Sequence, residues 1–306
     1  MIGHLWKLAL VVALSHGYRA VGRTVGPRWA GLITALPCST AVALLGGGSD
    51  RGVDYAVAMA DACWASLAGA SALPLAFASA TVAGWGMVRS LALGVLSYFA
   101  VMAGMILLGT SAGSYVPGTV LFLAWATWMA TRIDDQAAPS RAGRRNFSDR
   151  QVFWIRTVVP ATCLGGALGL GERLGPGVAG CLGAFPGVTL TTLMLTRLEI
   201  SPAASVRMAR ALPPGNWAMV AFLTTFTQTA QTLGLWGSIT FGYASALICL
   251  GTVAHLTNPP TAARFRRRLR MQRRKLPAEA IPELDSGQGW PRTPRRFSPL
   301  VESVAA

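Results

Sequence analysis

Charge is what this chain has least of. Only 13% of its 306 residues are Asp, Glu, Lys or Arg, while 52% are hydrophobic; soluble domains carry about 25% charged residues. That balance excludes a disordered chain and argues against an ordinary water-soluble globule. Acidic side chains are scarcest: 12 Asp+Glu stand against 27 Lys+Arg, a formal net charge of +15. Histidine and cysteine are few and scattered. His4, His16 and His255 have no metal-binding spacing, and Cys38, Cys63, Cys163, Cys181 and Cys249 are odd in number, form no CxxC pair and lie in apolar stretches. No disulfide framework, metal centre or cofactor is expected from them. No HExxH, GxSxG, Walker or GxGxxG constellation organises the chain either, so the chemistries those motifs carry find no support.

What is present is apolar sequence in runs of membrane-spanning length. A helix crosses the hydrocarbon core with about 20 apolar residues. Segments of that kind, parted by Gly, Pro or charge, run approximately over 2–18, 29–46, 55–78, 87–109, 115–131, 152–171, 177–195, 216–234 and 236–257. The expected fold is an all-α polytopic bundle of about nine spans. The first stretch is read as a retained span, because Arg19 and Arg23 follow it where an A-x-A-like cleavage site would stand.

Charge placement sets the orientation. In the nine-span division, alternate connections hold Arg19, Arg23 and Arg28, then Arg89, then Arg132, Arg141, Arg144, Arg145 and Arg150, then Arg197, Arg207 and Arg210, while the opposite set holds Arg51 and Arg173. Cutting Tyr55–Gly109 into three spans would put the basic loops of the two halves on opposite faces. The positive-inside bias therefore favours two spans there, an outside N-terminus and a cytoplasmic C-terminus. A bacterial cytoplasmic membrane is the expected location. The chain divides into a first membrane unit with its linking fifth span (1–131), a basic cytoplasmic loop (132–151), a second membrane unit (152–258) and a basic, Pro-rich, disordered tail (259–306).

The tail carries Arg264, Arg266, Arg267, Arg268, Arg270, Arg273, Arg274 and Lys275 in one juxtamembrane cluster. Anionic inner-leaflet lipid attracts such a cluster by about 1 kcal/mol per basic residue. Nucleic acid is not an expected partner, because no groove-reading fold or aromatic platform accompanies the charge.

An internal repeat appears when residues 4–44 are laid without gaps on 153–193. GRTVGPRWAGLITALPCST, from Gly22, then faces GERLGPGVAGCLGAFPGVT, from Gly171; Pro27, Gly31, Pro37 and Thr40 coincide with Pro176, Gly180, Pro186 and Thr189. Spans one and two match spans six and seven, an offset of five crossings, so the second copy is expected to run the opposite way. Inverted repeats of this type are a recurring plan of secondary transporters, with the site at the midplane where the repeats meet.

Pro37 and Pro186 fall mid-span, where proline removes a backbone hydrogen bond to the residue four earlier. The carbonyls of Ile33 and Leu182 are thus expected to come free beside Thr40 or beside Thr189, Thr191 and Thr192, able to coordinate a cation or hold a polar group. Asp61 is the carboxylate deepest in a span and a candidate for an ion or proton path. In the eighth span Thr224, Gln228 and Gln231 share one helical face with Thr232, expected to point inward while Phe222, Phe226 and Leu233 face elsewhere. Lys7 and Arg156 should snorkel to the headgroups. Trp6, Trp29, Trp154, Trp217 and Trp236 stand near span ends, as an interfacial belt requires.

An enzymatic reading rests on Asp134 and Asp135, which could hold Mg²⁺ with Asp149 beside a basic loop; pairing with that loop is the plainer reading. The leading functional expectation is a secondary transporter or channel for a small solute or ion. Its alternatives are a non-catalytic scaffold with a lipid-binding tail and a membrane-embedded enzyme acting on lipid head groups.

Overall fold

A computed structural model describes residues 9, 12, 13, 16 and 17, then 26–108, 115–135, 137–138 and 148–257. These are almost wholly α-helical, with no strand among them. From Pro27 onward the helices are, in order, α1 (Pro27–Thr34), α2 (Cys38–Arg51), α3 (Val53–Val82), α4 (Met87–Leu108), α5 (Tyr115–Arg132), α6 (Asp149–Leu174), α7 (Pro176–Gly183), α8 (Gly187–Glu199), α9 (Pro202–Gly215) and α10 (Trp217–Thr257). Gly234 interrupts α10 with a φ of 66°, so its two arms are separate helices. Among the described residues, five segments are long and apolar enough to cross a membrane: Pro27–Arg51, Val53–Val82, Met87–Leu108, Pro176–Glu199 and Pro202–Thr257. Most of the first expected span, Lys7 and the basic cluster at 264–275 lie outside the described residues.

Local chemistry explains the boundaries. Gly26 and Gly175 adopt φ of 87° and 90°, a left-handed region open to glycine, and each is followed by a proline at the first helical position, where its missing N–H costs nothing. The Tyr55–Gly109 stretch divides into α3 and α4 at Gly84, with φ of 80°. Helices α1, α2 and α3 start at Pro27, Cys38 and Val53; α7, α8 and α9 start at Pro176, Gly187 and Pro202, each 149 residues further on.

Burial sorts the segments into inner and outer. Pro27–Arg51 and Val53–Val82 are 83% and 78% buried over their most apolar windows, against 11% for Met87–Leu108. Helix α3, apolar all round, threads the centre, as a helix without a polar face must. Helix α4 turns Val88, Leu96, Phe99, Leu107 and Leu108 outward, the surface a lipid-facing helix presents.

Small residues let the inner helices touch. A Cβ placed on Gly31 of α1 would collide with the Met208 carbonyl oxygen of α9 and come within 2.9 Å of Ala211 Cβ. On Gly180 of α7 it would collide with the Met59 carbonyl oxygen of α3 and come within 3.0 Å of Ala62 Cβ. The two contacts are counterparts: every residue of the second stands 149 positions from one of the first.

Three expectations are corrected here. The polar stripe of the eighth span is reversed: Phe222 and Phe226 are fully buried, whereas Gln228 and Gln231 are exposed. Phe222 lies under Gly242 of the other arm of α10, where an added Cβ would come within 2.8 Å of its ring; Gln231 donates to Asp54 Oδ1 at 2.6 Å. Arg156 does not reach outward but is buried, with Nη1 3.5 Å from Thr192 Oγ1. Arg197, assigned to a loop by its charge, is also buried; its guanidinium donates to Thr81 Oγ1 at 2.8 Å, to Ser90 Oγ at 2.9 Å and to the Trp85 carbonyl. Each arginine finds hydroxyl partners on other helices, Thr192 for Arg156 and Thr81 and Ser90 for Arg197.

Candidate functional site

Both mid-span prolines break their helices, in the same way. After α1, Leu36 N donates to Ile33 O at 3.1 Å and Cys38 N to Leu36 O at 2.8 Å; helical bonding resumes with Ala41 N to Pro37 O at 2.8 Å. After α7 the sequence recurs: Phe185 N to Leu182 O at 3.0 Å, Gly187 N to Phe185 O at 2.8 Å, and Leu190 N to Pro186 O at 2.9 Å. The expectation for Ile33 and Leu182 needs correction. Their carbonyls accept bonds from a tight i to i+3 turn, the usual remedy at a helix end.

Groups of both kinds are left over: the carbonyls of Ala35 and Ala184 receive no hydrogen bond among the described residues, and donors stay unmet at the helix starts. No backbone carbonyl or side chain among the described residues accepts from the N–H of Ser39, Thr40, Val188 or Thr189, and neither α2 nor α8 has a side-chain cap. Several other carbonyls near the helix ends are covered. Thr34 Oγ1 donates to Ala30 O, Ser66 Oγ and Tyr98 OH donate to Cys181 O at 2.8 and 3.0 Å, and Cys63 Sγ points to Gly180 O.

The two breaks cross. Thr189 Oγ1 lies 3.5 Å from Thr34 O, and a Cβ on Gly183 would come within 2.7 Å of Ala43 Cβ. Moving up one segment therefore means moving down the other, and the broken segments run antiparallel. A cavity of about 40 Å³ opens at the crossing. Three pairs of its lining residues come from the breaks and helix starts, Ala35 with Ala184, Ser39 with Val188, and Thr40 with Thr189. Two more come from the helices packed behind, Leu67 with Asn216 and Ala70 with Met219. Both members of every pair stand 149 residues apart. Thr40 is fully buried and its Oγ1 has no hydrogen-bond partner. Asn216 is also buried and donates from Nδ2 to Ser71 Oγ at 2.9 Å. Among the described residues, no acidic or basic side chain lines the cavity.

Of the residues singled out by sequence, Pro186, Thr40 and Thr189 line this cavity, and Pro37 is the residue that starts α2 beside it. Leu182 lines a smaller void next to it, of about 10 Å³. Thr192 lies a turn along α8, its hydroxyl bonded back to Val188 O at 2.7 Å. Asp61, half-buried on α3, lines neither space, and Thr224, Gln228 and Gln231 are remote from both. Sequence reasoning missed Ser39 and Asn216. Carrying the 149-residue register on from Thr189 to Asn216 would have set that polar residue against Leu67.

A second recess, of about 370 Å³, lies by Arg28 and Leu32 of α1. Arg28, Arg207 and Arg210 line it with Asp135 and the end of α10 at Thr257. Asp135 pairs with Arg210 at 2.9 Å and Arg207 at 3.4 Å. It is thus held by arginines of α9. No three acidic, histidine or cysteine side chains gather as a metal site would require among the described residues.

Compared with protein-family models, with curated proteins and with solved structures, the chain matches none of them. The site's own geometry is what bears on function.

Proposed function

We propose that this chain is a membrane protein of about nine spans, built from two oppositely running copies of one unit, that passes a small solute or ion across the bilayer as a secondary transporter or channel. Transporters of this plan bind at the midplane, where discontinuous helices present their ends to the cargo. The observation that carries the reading is the crossing cavity, lined by residue pairs 149 apart and bordered by two helix breaks of matching hydrogen-bond pattern. Antiparallel crossing and the reciprocal Gly31–Met208 and Gly180–Met59 contacts support duplication with inversion. In this reading the arginine-lined recess opens to the cytoplasm, on the side where the basic loops gather.

Flux measurement tests it. Full-length protein in liposomes, challenged with gradients of chloride, nitrate, sodium, potassium, small carboxylates and neutral amino acids, should accelerate the passage of at least one solute over protein-free vesicles. Replacing Pro37 and Pro186 together with Ala should heal the breaks and abolish that acceleration. Flux of every solute at the protein-free rate, or flux undiminished in the double variant, would overturn the proposal.

A further inference from the structure

We infer that the crossing site binds a small inorganic anion, of the size of chloride or nitrate. The inference rests on the transport reading for its place in the molecule, but the sign of the ligand comes from the two helix starts that meet at the site. At the two breaks the N–H groups of Ser39, Thr40, Val188 and Thr189 have no acceptor among the described residues. These are the first-turn donors of α2 and α8, helices of 14 and 13 residues, and the start of a helix carries about half a positive charge.

An independent observation points the same way. Thr40 is fully buried, lines the cavity, and its hydroxyl is without a partner. Leaving a buried hydroxyl unmet costs about 1–3 kcal/mol, a cost that an acceptor in the cavity would remove. The lining offers no carboxylate to hold a cation. Its volume of about 40 Å³ exceeds the ~10–15 Å³ that one water needs but excludes a metabolite. Arg28, Arg207 and Arg210 against Asp135 make the recess by the start of α1 net positive, which would concentrate anions near it.

Thermal unfolding of the purified full chain in detergent, with sodium chloride or sodium nitrate titrated against sodium gluconate at constant ionic strength, tests the inference. Both small anions should raise the midpoint in a saturable way. Thr40→Val, which keeps shape and removes the hydroxyl, should weaken the apparent affinity about tenfold or more, as loss of a hydrogen bond to a charged group does; Thr40→Ser should restore it. No saturable rise with either anion overturns the inference. So does an equal rise in wild type and Thr40→Val that vanishes when Arg207 and Arg210 are replaced by Gln, because the anion would then sit in the recess. The two proposals fail separately: anion binding without flux of any solute sinks transport alone, while flux of cations or neutral solutes without an anion-dependent rise sinks the anion alone.

Discussion

Arg197 shows what one residue contributes when burial and charge coincide. Its guanidinium ties the end of α8 to Thr81 on α3 and Ser90 on α4, and lies over the Phe77 ring with Cζ 5.8 Å from the centroid. Hydrogen bonds to a charged group contribute about 1.5–3 kcal/mol each. Replacing Arg197 with Ala should therefore lower stability by about 2–4 kcal/mol, since Thr81 and Ser90 lose a shared donor in a buried setting. Thermal unfolding in detergent is the measurement, with Arg197→Lys falling between the two. A midpoint unchanged by Arg197→Ala would mean that the cluster holds nothing together. Charge alone placed this arginine in a connection, because its partners stand more than 100 positions away in sequence. Thr40 is the opposite case: its place after a mid-span proline was visible, but the missing hydrogen-bond partner was not.

Among elements, the close approach of α1 to α9 and of α7 to α3 depends on glycine. The atoms a side chain would meet at Gly31 and Gly180 include backbone carbonyls, which yield less readily than a flexible side chain. Gly180→Ala should destabilise by about 1–3 kcal/mol, the range for overpacking. Gly31→Ala should cost a similar amount, because its contact is the counterpart of the first. Gly104 on α4 meets nothing within 4 Å, so Gly104→Ala should be neutral or stabilising by up to about 1 kcal/mol through helix propensity. Melting the three variants side by side checks the set; a harmless Gly180→Ala would contradict the packing. The helix breaks themselves were legible from sequence, since proline acts on its own turn. Which groups the breaks leave unmet was not. The expected carbonyls of Ile33 and Leu182 are satisfied within the turn, and the residues that line the cavity are Ala35 and Ala184 with the helix starts that follow them.

For the whole molecule, the question is the relative direction of its two halves. Arg51 and Ile200 occupy equivalent positions, 149 residues apart, at the ends of the two broken segments, and both are exposed. If the halves run oppositely, cysteines introduced at 51 and 200 should react with a membrane-impermeant thiol reagent from opposite faces of oriented vesicles. Cys38, Cys63 and Cys181 are buried and Cys163 and Cys249 partly so, which keeps the background low. Labelling of both positions from one face would show that the halves run the same way, and the inverted plan would fall.

The sequence by itself determined what depends on composition and on near neighbours. Sparse charge and long apolar runs define a helical chain with several segments fit to cross a membrane, Gly–Pro pairs start α1 and α7, and the two mid-span prolines break their helices. Tertiary structure decided everything that depends on distant partners. In the eighth span the amphipathic pattern identified two faces without saying which was inner, and the arms of α10 packed on Phe222 and Phe226, leaving Gln228 and Gln231 outside. Arg156 and Arg197 could be buried because hydroxyls from other helices meet them. The cavity exists because two breaks far apart in the chain come to one place. Proline's effect reaches one turn, whereas the groups that line a space between helices are chosen by packing.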